Sequence, residues 1–169
     1  MHEKHDNSIL VIGYGNILRG DDGVGCSVAE TVADWGFAWV RSIAVHQLLP
    51  ELAADIAAVD LVIFVDAVID TEMSRASITI IPLASGENAK FSTHIITPPL
   101  LLDMTQKLYN AVPIAYLLMI PARDFTLGKT LSLLANQGKD LALDYLRNVL
   151  QIHKNSGTVA DLERYIDNR

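Results

Sequence analysis

Two acidic residues and a histidine stand where chain elements are predicted to end, and together they could hold a metal ion. Asp22 closes the glycine-rich stretch GYGNILRGDD, and Asp66 follows the apolar run LVIFV. His94 lies in the polar stretch KFSTHIITPP. Two carboxylates brought close together must share a proton, raise a pKa or bind a cation. With an imidazole nitrogen added, the set suits a borderline divalent metal, and open coordination positions would leave room for water or substrate.

An alternation of strands and helices is predicted to position these side chains. Short apolar runs typical of strands cover residues 8–12, 38–45, 61–65, 77–81 and 114–120. Helical patterns follow Gly23, Pro50 and Thr97, and another covers residues 142–150. This order predicts an α/β fold with a largely parallel sheet covered on both faces. Ligands of such sheets bind beyond the carboxyl ends of the strands, so Asp22 and Asp66 meet there if the first and third strands are neighbours.

Length and composition are those of a single globular domain. The 169 residues are half apolar, which is enough for one core. We expect a polar tail over residues 1–8, one domain over 9–154 and a C-terminal helical extension over 155–169. The net charge of −7, with no run of basic residues, argues against nucleic acid as a partner. With one cysteine and no long apolar stretch, the chain is predicted to be cytoplasmic, with no membrane contact. We also expect a monomer.

The glycine-rich stretch also suggests a nucleotide site, which its details disfavour. Leu18 stands where a dinucleotide fingerprint has its third glycine, and His46 and Gln47 follow the second strand in place of an acid. The paired acids would repel a pyrophosphate. We therefore predict no nucleotide cofactor. The glycines could serve backbone geometry alone, and Asp21 has an ordinary alternative as the N-cap of the following helix.

Three further residues can each be explained by a chemical role or by a structural one. His46 could contact a bound peptide if the second strand flanks the first, although a packing or capping role is slightly favoured. His94, as a loop histidine, could simply be solvated. Cys26 lies inside a predicted helix with no histidine placed beside it, so we expect a small buried side chain rather than a nucleophile.

Several blocks of the sequence together resemble the maturation endopeptidases of nickel-iron hydrogenases. In chain order they are GYGNILRGDDGVG, VHQLLPELA, VIFVDA, a histidine before a proline-led helix, and YLLMIPARDFTLGKTLS. The similarity extends over residues 9–150. The blocks HQLLPELA and IPARDF most resemble those members that serve soluble, bidirectional, NAD-linked hydrogenases.

This resemblance implies a fold, an activity and a set of site residues. The fold is a three-layer α/β/α sandwich around a five-stranded, mostly parallel mixed sheet. The activity is removal of a C-terminal extension from the precursor of a hydrogenase large subunit after nickel insertion, with the nickel presented by the substrate. Asp22, Asp66 and His94 would bind the nickel, and the two acids would also be catalytic. Many relatives have Glu at the position of Asp22, so its reach toward the metal is one methylene shorter. The alternative is a chaperone-like module that binds the nickel-loaded precursor without cutting it.

Overall fold

Strands and helices alternate along the chain, as the sequence predicts. The computed structural model describes residues 8–70, 72, 75–85, 95–128, 130–156, 161 and 164–166. A short 3-10 helix, Gly20–Gly23, precedes the first α-helix. The remaining elements are β1 (Ile9–Tyr14), α1 (Val24–Asp34), β2 (Val40–Val45), α2 (Leu52–Ala57), β3 (Leu61–Ile69), β4 (Thr79–Leu83), α3 (Pro98–Tyr109), β5 (Ile114–Ala122) and α4 (Leu133–Ser156).

The strands form one mixed sheet with the order β2-β1-β3-β5-β4. β1 is parallel to β2 and β3, β3 is parallel to β5, and only the β4–β5 pair is antiparallel. The predicted five-stranded, mostly parallel sheet is therefore confirmed. Because β2 lies on one side of β1 and β3 on the other, the winding of the chain reverses at β1. Such a reversal opens a crevice between the carboxyl ends of the two neighbouring strands.

Alternation of side chains along β1 produces the three layers. Ile9 and Val11 pack into one core cluster with α1 and α4, whereas Leu10 and Ile12 pack into a second cluster with α2 and α3. All four side chains are fully buried. A strand covered on both faces requires an uninterrupted apolar run, which is the pattern that β1 shows. The predicted three-layer α/β/α sandwich is thus confirmed.

Two glycines allow α1 to begin in backbone contact with the sheet. A Cβ atom at Gly25 would lie 2.4 Å from the carbonyl oxygen of Val65, and one at Gly13 would lie 1.9 Å from the carbonyl oxygen of Gly25. Neither position has room for a larger residue unless the backbone moves. This close approach fixes the start of α1, and the 3-10 helix before it, over the carboxyl ends of β1 and β3.

Some element boundaries differ from those predicted. β3 was expected to end at residue 65 but continues to Ile69, because β5 pairs with it as far as Ala122. α4 runs through residue 154, and Ile166 beyond it packs into the core cluster of α1 and α4. The proposed division at residues 154 and 155 stays a prediction. No helix in the described ranges is long and apolar enough to cross a membrane.

Candidate active site

The crevice beyond β1 and β3 holds both predicted carboxylates. β1 and β3 are neighbours whose last paired residues are Gly13 and Val65, so the next residues along, Tyr14 and Asp66, lie at the end of β1. Asp66 is still within β3, whereas β1 stops beside it. Its side chain is half-buried and its Oδ1 accepts a hydrogen bond from its neighbour's backbone N–H, that of Ala67, at 2.8 Å. The strand thus presents a carboxylate of fixed orientation.

Asp22 reaches the same crevice from the 3-10 helix. Its Oδ2 accepts a hydrogen bond from the backbone N–H of Asn16 at 2.8 Å, which closes the glycine-rich loop on itself. Gly15 makes this closure possible, because its φ is +139° and a Cβ atom there would lie 1.9 Å from the carbonyl oxygen of Asp22. Asp22 is half-buried, so one side of its carboxylate remains available to a ligand.

The charge of Asp22 acts on the carboxyl group of Asp66. Burial raises the pKa of Asp66 and the charge of Asp22 raises it further, which outweighs the opposing hydrogen bonds from the Tyr14 hydroxyl and the Ala67 N–H. Burial and Asp66 in turn raise the pKa of Tyr14, so this phenol stays protonated and donates to Asp66. An acid of this kind can hold a proton at higher pH than an ordinary carboxyl group. Sequence reasoning missed Tyr14, which only the pairing of β1 with β3 brings to Asp66.

The third predicted ligand, His94, lies outside the described residues. Within the described ranges, no three His, Cys, Asp or Glu side chains are arranged to hold a metal ion. Asp22 and Asp66 supply two oxygen-bearing groups, which makes an incomplete shell for a divalent metal. The set of two acids and one histidine therefore stays a prediction.

Asp21 has a different role from the predicted one. The N-cap of α1 is Gly23, without a side-chain cap, so the N-cap prediction for Asp21 is wrong. The side chain is fully buried and accepts four hydrogen bonds. Its partners are the backbone N–H groups of Arg123 (2.9 Å), Asp124 (3.0 Å) and Ser132 (2.6 Å), and the Ser132 hydroxyl (2.7 Å). Burial alone would raise the pKa of Asp21, but these hydrogen bonds outweigh it and lower the pKa.

Backbone hydrogen bonds extend the attachment between these two loops. The N–H of Asp21 donates to the carbonyl of Asp124 at 2.8 Å, and that of Gly20 donates to Gly128 at 2.7 Å. Gly128 in turn donates to the carbonyl of Leu18 at 2.8 Å. The loop that carries Asp22 is therefore held against the segment that connects β5 to α4. Asp21 orients this loop while Asp22, its neighbour, faces the crevice.

Cys26 is buried and does not have the environment of a nucleophile. It is 3% exposed, and its Sγ lies 3.4 Å from the carbonyl oxygen of Gly15 and 3.2 Å from that of Val45. Burial, together with the charge of Glu30, raises the pKa of the thiol to about 11. The structure thus confirms a small buried side chain. His46 directly follows β2, which flanks β1 as expected, and its side chain is exposed.

Comparison with known proteins gives structural matches only. No protein-family model matches the chain, and no curated protein matches it in sequence. Among solved structures, the nickel-iron hydrogenase maturation protease HycI from Thermococcus kodakarensis has a TM-score of 0.68 at 23% identity, covering 86% of this chain and 93% of that one. HybD from the same organism has a TM-score of 0.64 at 19% identity, covering 84% and 98%.

A bacterial structure agrees with these two. The hydrogenase maturating endopeptidase HybD from E. coli has a TM-score of 0.66 at 22% identity, covering 89% of this chain and 94% of that one. At identities this low, the structural matches establish a common architecture. The coverage shows that this architecture extends over most of each protein. The chain therefore has the fold of the nickel-iron hydrogenase maturation proteases.

Proposed function

We propose that this protein is an endopeptidase that removes the C-terminal extension of a nickel-iron hydrogenase large subunit after nickel insertion. The observation that carries the proposal is the carboxylate pair Asp22 and Asp66 at the crevice between β1 and β3. The shared fold supports it, since the structural neighbours are named as proteases of hydrogenase maturation. The sequence blocks quoted above favour a substrate from the soluble, bidirectional, NAD-linked class.

Peptide hydrolysis needs a polarised carbonyl, an activated water and a proton for the leaving amine. Nickel already bound to the substrate would supply the first two when the precursor docks. Asp22, to which no hydroxyl group in the described part of the chain donates, is suited to contact the metal or the water. Asp66 is suited to carry the proton, because its surroundings favour the protonated form more than those of an ordinary aspartate.

Recognition of nickel would follow from the incomplete ligand set. Asp22, Asp66 and His94 would leave coordination positions open, so we infer that the metal brings its remaining ligands from the substrate. His94 is the proposed third contact from this chain. A precursor without nickel would then provide no metal ion for Asp22 and Asp66 to bind. We also propose that the protein acts as a cytoplasmic monomer on this one partner.

Intact-mass spectrometry of the precursor tests the proposal directly. The large-subunit precursor is incubated with the protein, once loaded with nickel and once without it. We expect the mass of the nickel-loaded form alone to fall by that of the C-terminal extension. Asp22→Asn and Asp66→Asn should each slow cleavage by at least about 100-fold, which is the usual contribution of a positioned acid or base to the rate. Asp34→Asn, an equal change of charge at the exposed end of α1, is the matched control.

Each alternative function predicts a different result in the mass spectra. Cleavage of both precursor forms would show that the acids are ordinary catalytic groups without nickel recognition. Tight binding of the nickel-loaded form with no change of mass would favour the chaperone-like module instead. Full activity of either asparagine variant would remove that residue from the site. Melting temperatures of the variants should stay close to that of the wild type. Each asparagine removes one charge of a repelling pair and does not change the apolar core.

A further inference from the structure

A cavity of about 200 Å³ lies beside the carboxylate crevice, between α1 and the end of β2. Cys26 and Glu30 are one helical turn apart and line it from α1, while Ala44 and His46, two residues apart, line it from β2. Ile17, 47% exposed, lies at its edge. The cavity is about the size of one long side chain, and none of the proposed catalytic steps uses it.

The charge of this cavity is negative. Glu30 is exposed, and no ion pair or hydrogen bond reaches its carboxylate from the described part of the chain. Both Glu30 and Asp22 act electrostatically on the Cys26 thiol at the cavity floor. Ile17, Ala44 and Val45 form the apolar part of the cavity wall. A long side chain with an apolar stem and a positive end fits both features.

The cavity is continuous with the proposed site. Gly15 lines the cavity and also abuts the backbone of Asp22, so one short stretch of loop forms a wall of each. A peptide lying across the ends of β1 and β2 could place its scissile bond near Asp22 and a neighbouring side chain in the cavity. The span is short, because β1 and β2 are adjacent strands about 4.8 Å apart.

We propose that this cavity is a specificity subsite that takes a lysine or arginine side chain of the substrate, with Glu30 as its counter-ion. The inference rests on the proposed function and adds the chemistry that selects the peptide. Glu30 supplies the charge, Ile17 and Ala44 contact the apolar stem, and His46 can form a hydrogen bond at the rim.

Steady-state kinetics with the nickel-loaded precursor tests the subsite. Glu30→Gln should raise KM about tenfold and leave kcat within about twofold, because the loss is that of one charge-assisted hydrogen bond. Ala44→Phe, which fills the cavity with a residue that strands accept, should raise KM similarly. Asp34→Asn, one turn further along α1 and outside the cavity, should leave KM unchanged.

A thermodynamic cycle identifies the partner charge. Each lysine or arginine near the cleavage site of the precursor is replaced by methionine in turn. For one of them, the substitution should raise KM with the wild-type protein and add nothing further with Glu30→Gln. Additive effects at every position would overturn the inference, and so would an unchanged KM for Glu30→Gln.

The experiments distinguish failure of the proposed protease function from failure of the proposed subsite. If the wild type does not cleave the nickel-loaded precursor, the protease proposal fails, and affinity of the same variants for the precursor then decides the subsite. Weaker binding by Glu30→Gln and Ala44→Phe, but not by Asp34→Asn, would support it as a peptide-binding site. Equal affinities would overturn it as well.

Discussion

Replacing Asp21 by alanine should loosen the loop that positions Asp22. The buried carboxylate accepts hydrogen bonds from three backbone N–H groups and one hydroxyl at 2.6–3.0 Å. Without it these four donors lose a partner whose side chain is fully buried. A buried donor left unsatisfied costs about 1–3 kcal/mol.

We therefore expect Asp21→Ala to lower the free energy of unfolding by about 3–5 kcal/mol, since some donors regain water when the loop relaxes. For a chain of this size that is a fall of roughly 6–20 °C in melting temperature. Ser132→Ala removes one of the four hydrogen bonds and the 3.1 Å contact of its hydroxyl with the Ala135 N–H at the start of α4. It should cost about 1–3 kcal/mol.

Urea unfolding followed by tryptophan fluorescence measures these losses, with exposed Asp34→Ala as a control expected within about 0.5 kcal/mol of the wild type. Hydrogen exchange at the Gly20 and Gly128 amides reports whether the two loops separate. Folding lowers the pKa of Asp21, so its stabilisation is complete above the ordinary value of 3.8 and is lost as the pH falls through the folded pKa. A loss below 1 kcal/mol, or unchanged exchange at both amides, would refute the reasoning.

Other changes have equally definite outcomes. Gly25→Ala puts a Cβ atom 2.4 Å from the Val65 carbonyl, so we expect a loss of about 2–4 kcal/mol in urea unfolding; a loss below 1 kcal/mol would show that α1 shifts freely. Cys26→Ala should keep the kcat of precursor cleavage within about twofold because the thiol is buried with a pKa of about 11, whereas abolished cleavage would restore it as the nucleophile. Tyr14→Phe should slow cleavage about tenfold with the fold intact, because Asp66 loses its hydroxyl donor; an unchanged rate would show that this orientation is unimportant. The purified protein should lose divalent metal on dialysis, and metal analysis that found stoichiometric, chelator-resistant zinc would mark a protease with its own metal.

Sequence patterns predicted the sheet, and they predicted that Asp22 meets Asp66 on the condition that β1 and β3 are neighbours, which the strand order satisfies. Apolar runs identify buried strands, and the winding of an α/β chain brings their carboxyl ends together. The length of β3 was underestimated, since its extension depends on pairing with β5 and not on its own apolar residues. The family resemblance predicted the layers of the sandwich in more detail than the apolar pattern did.

The role of Asp21 could not be predicted from its own neighbourhood. An acid just before a helix usually caps it, and that local rule gave the wrong assignment. Its partners are more than 100 residues away, and no periodic pattern relates Asp21 to Ser132. Tyr14 was missed for a related reason, because its hydroxyl meets Asp66 only through the register between β1 and β3.

The attachment of Asp21 to the segment around Ser132 also orders events during synthesis. β1, β2 and β3 all leave the ribosome before that segment exists, so the sheet can begin to form while the loop carrying Asp22 is still unanchored. Closing a loop this long is slow compared with forming local helices. A growing chain therefore carries both acids long before it holds them in their final geometry. The geometry of the candidate site is therefore complete only when the core is nearly complete.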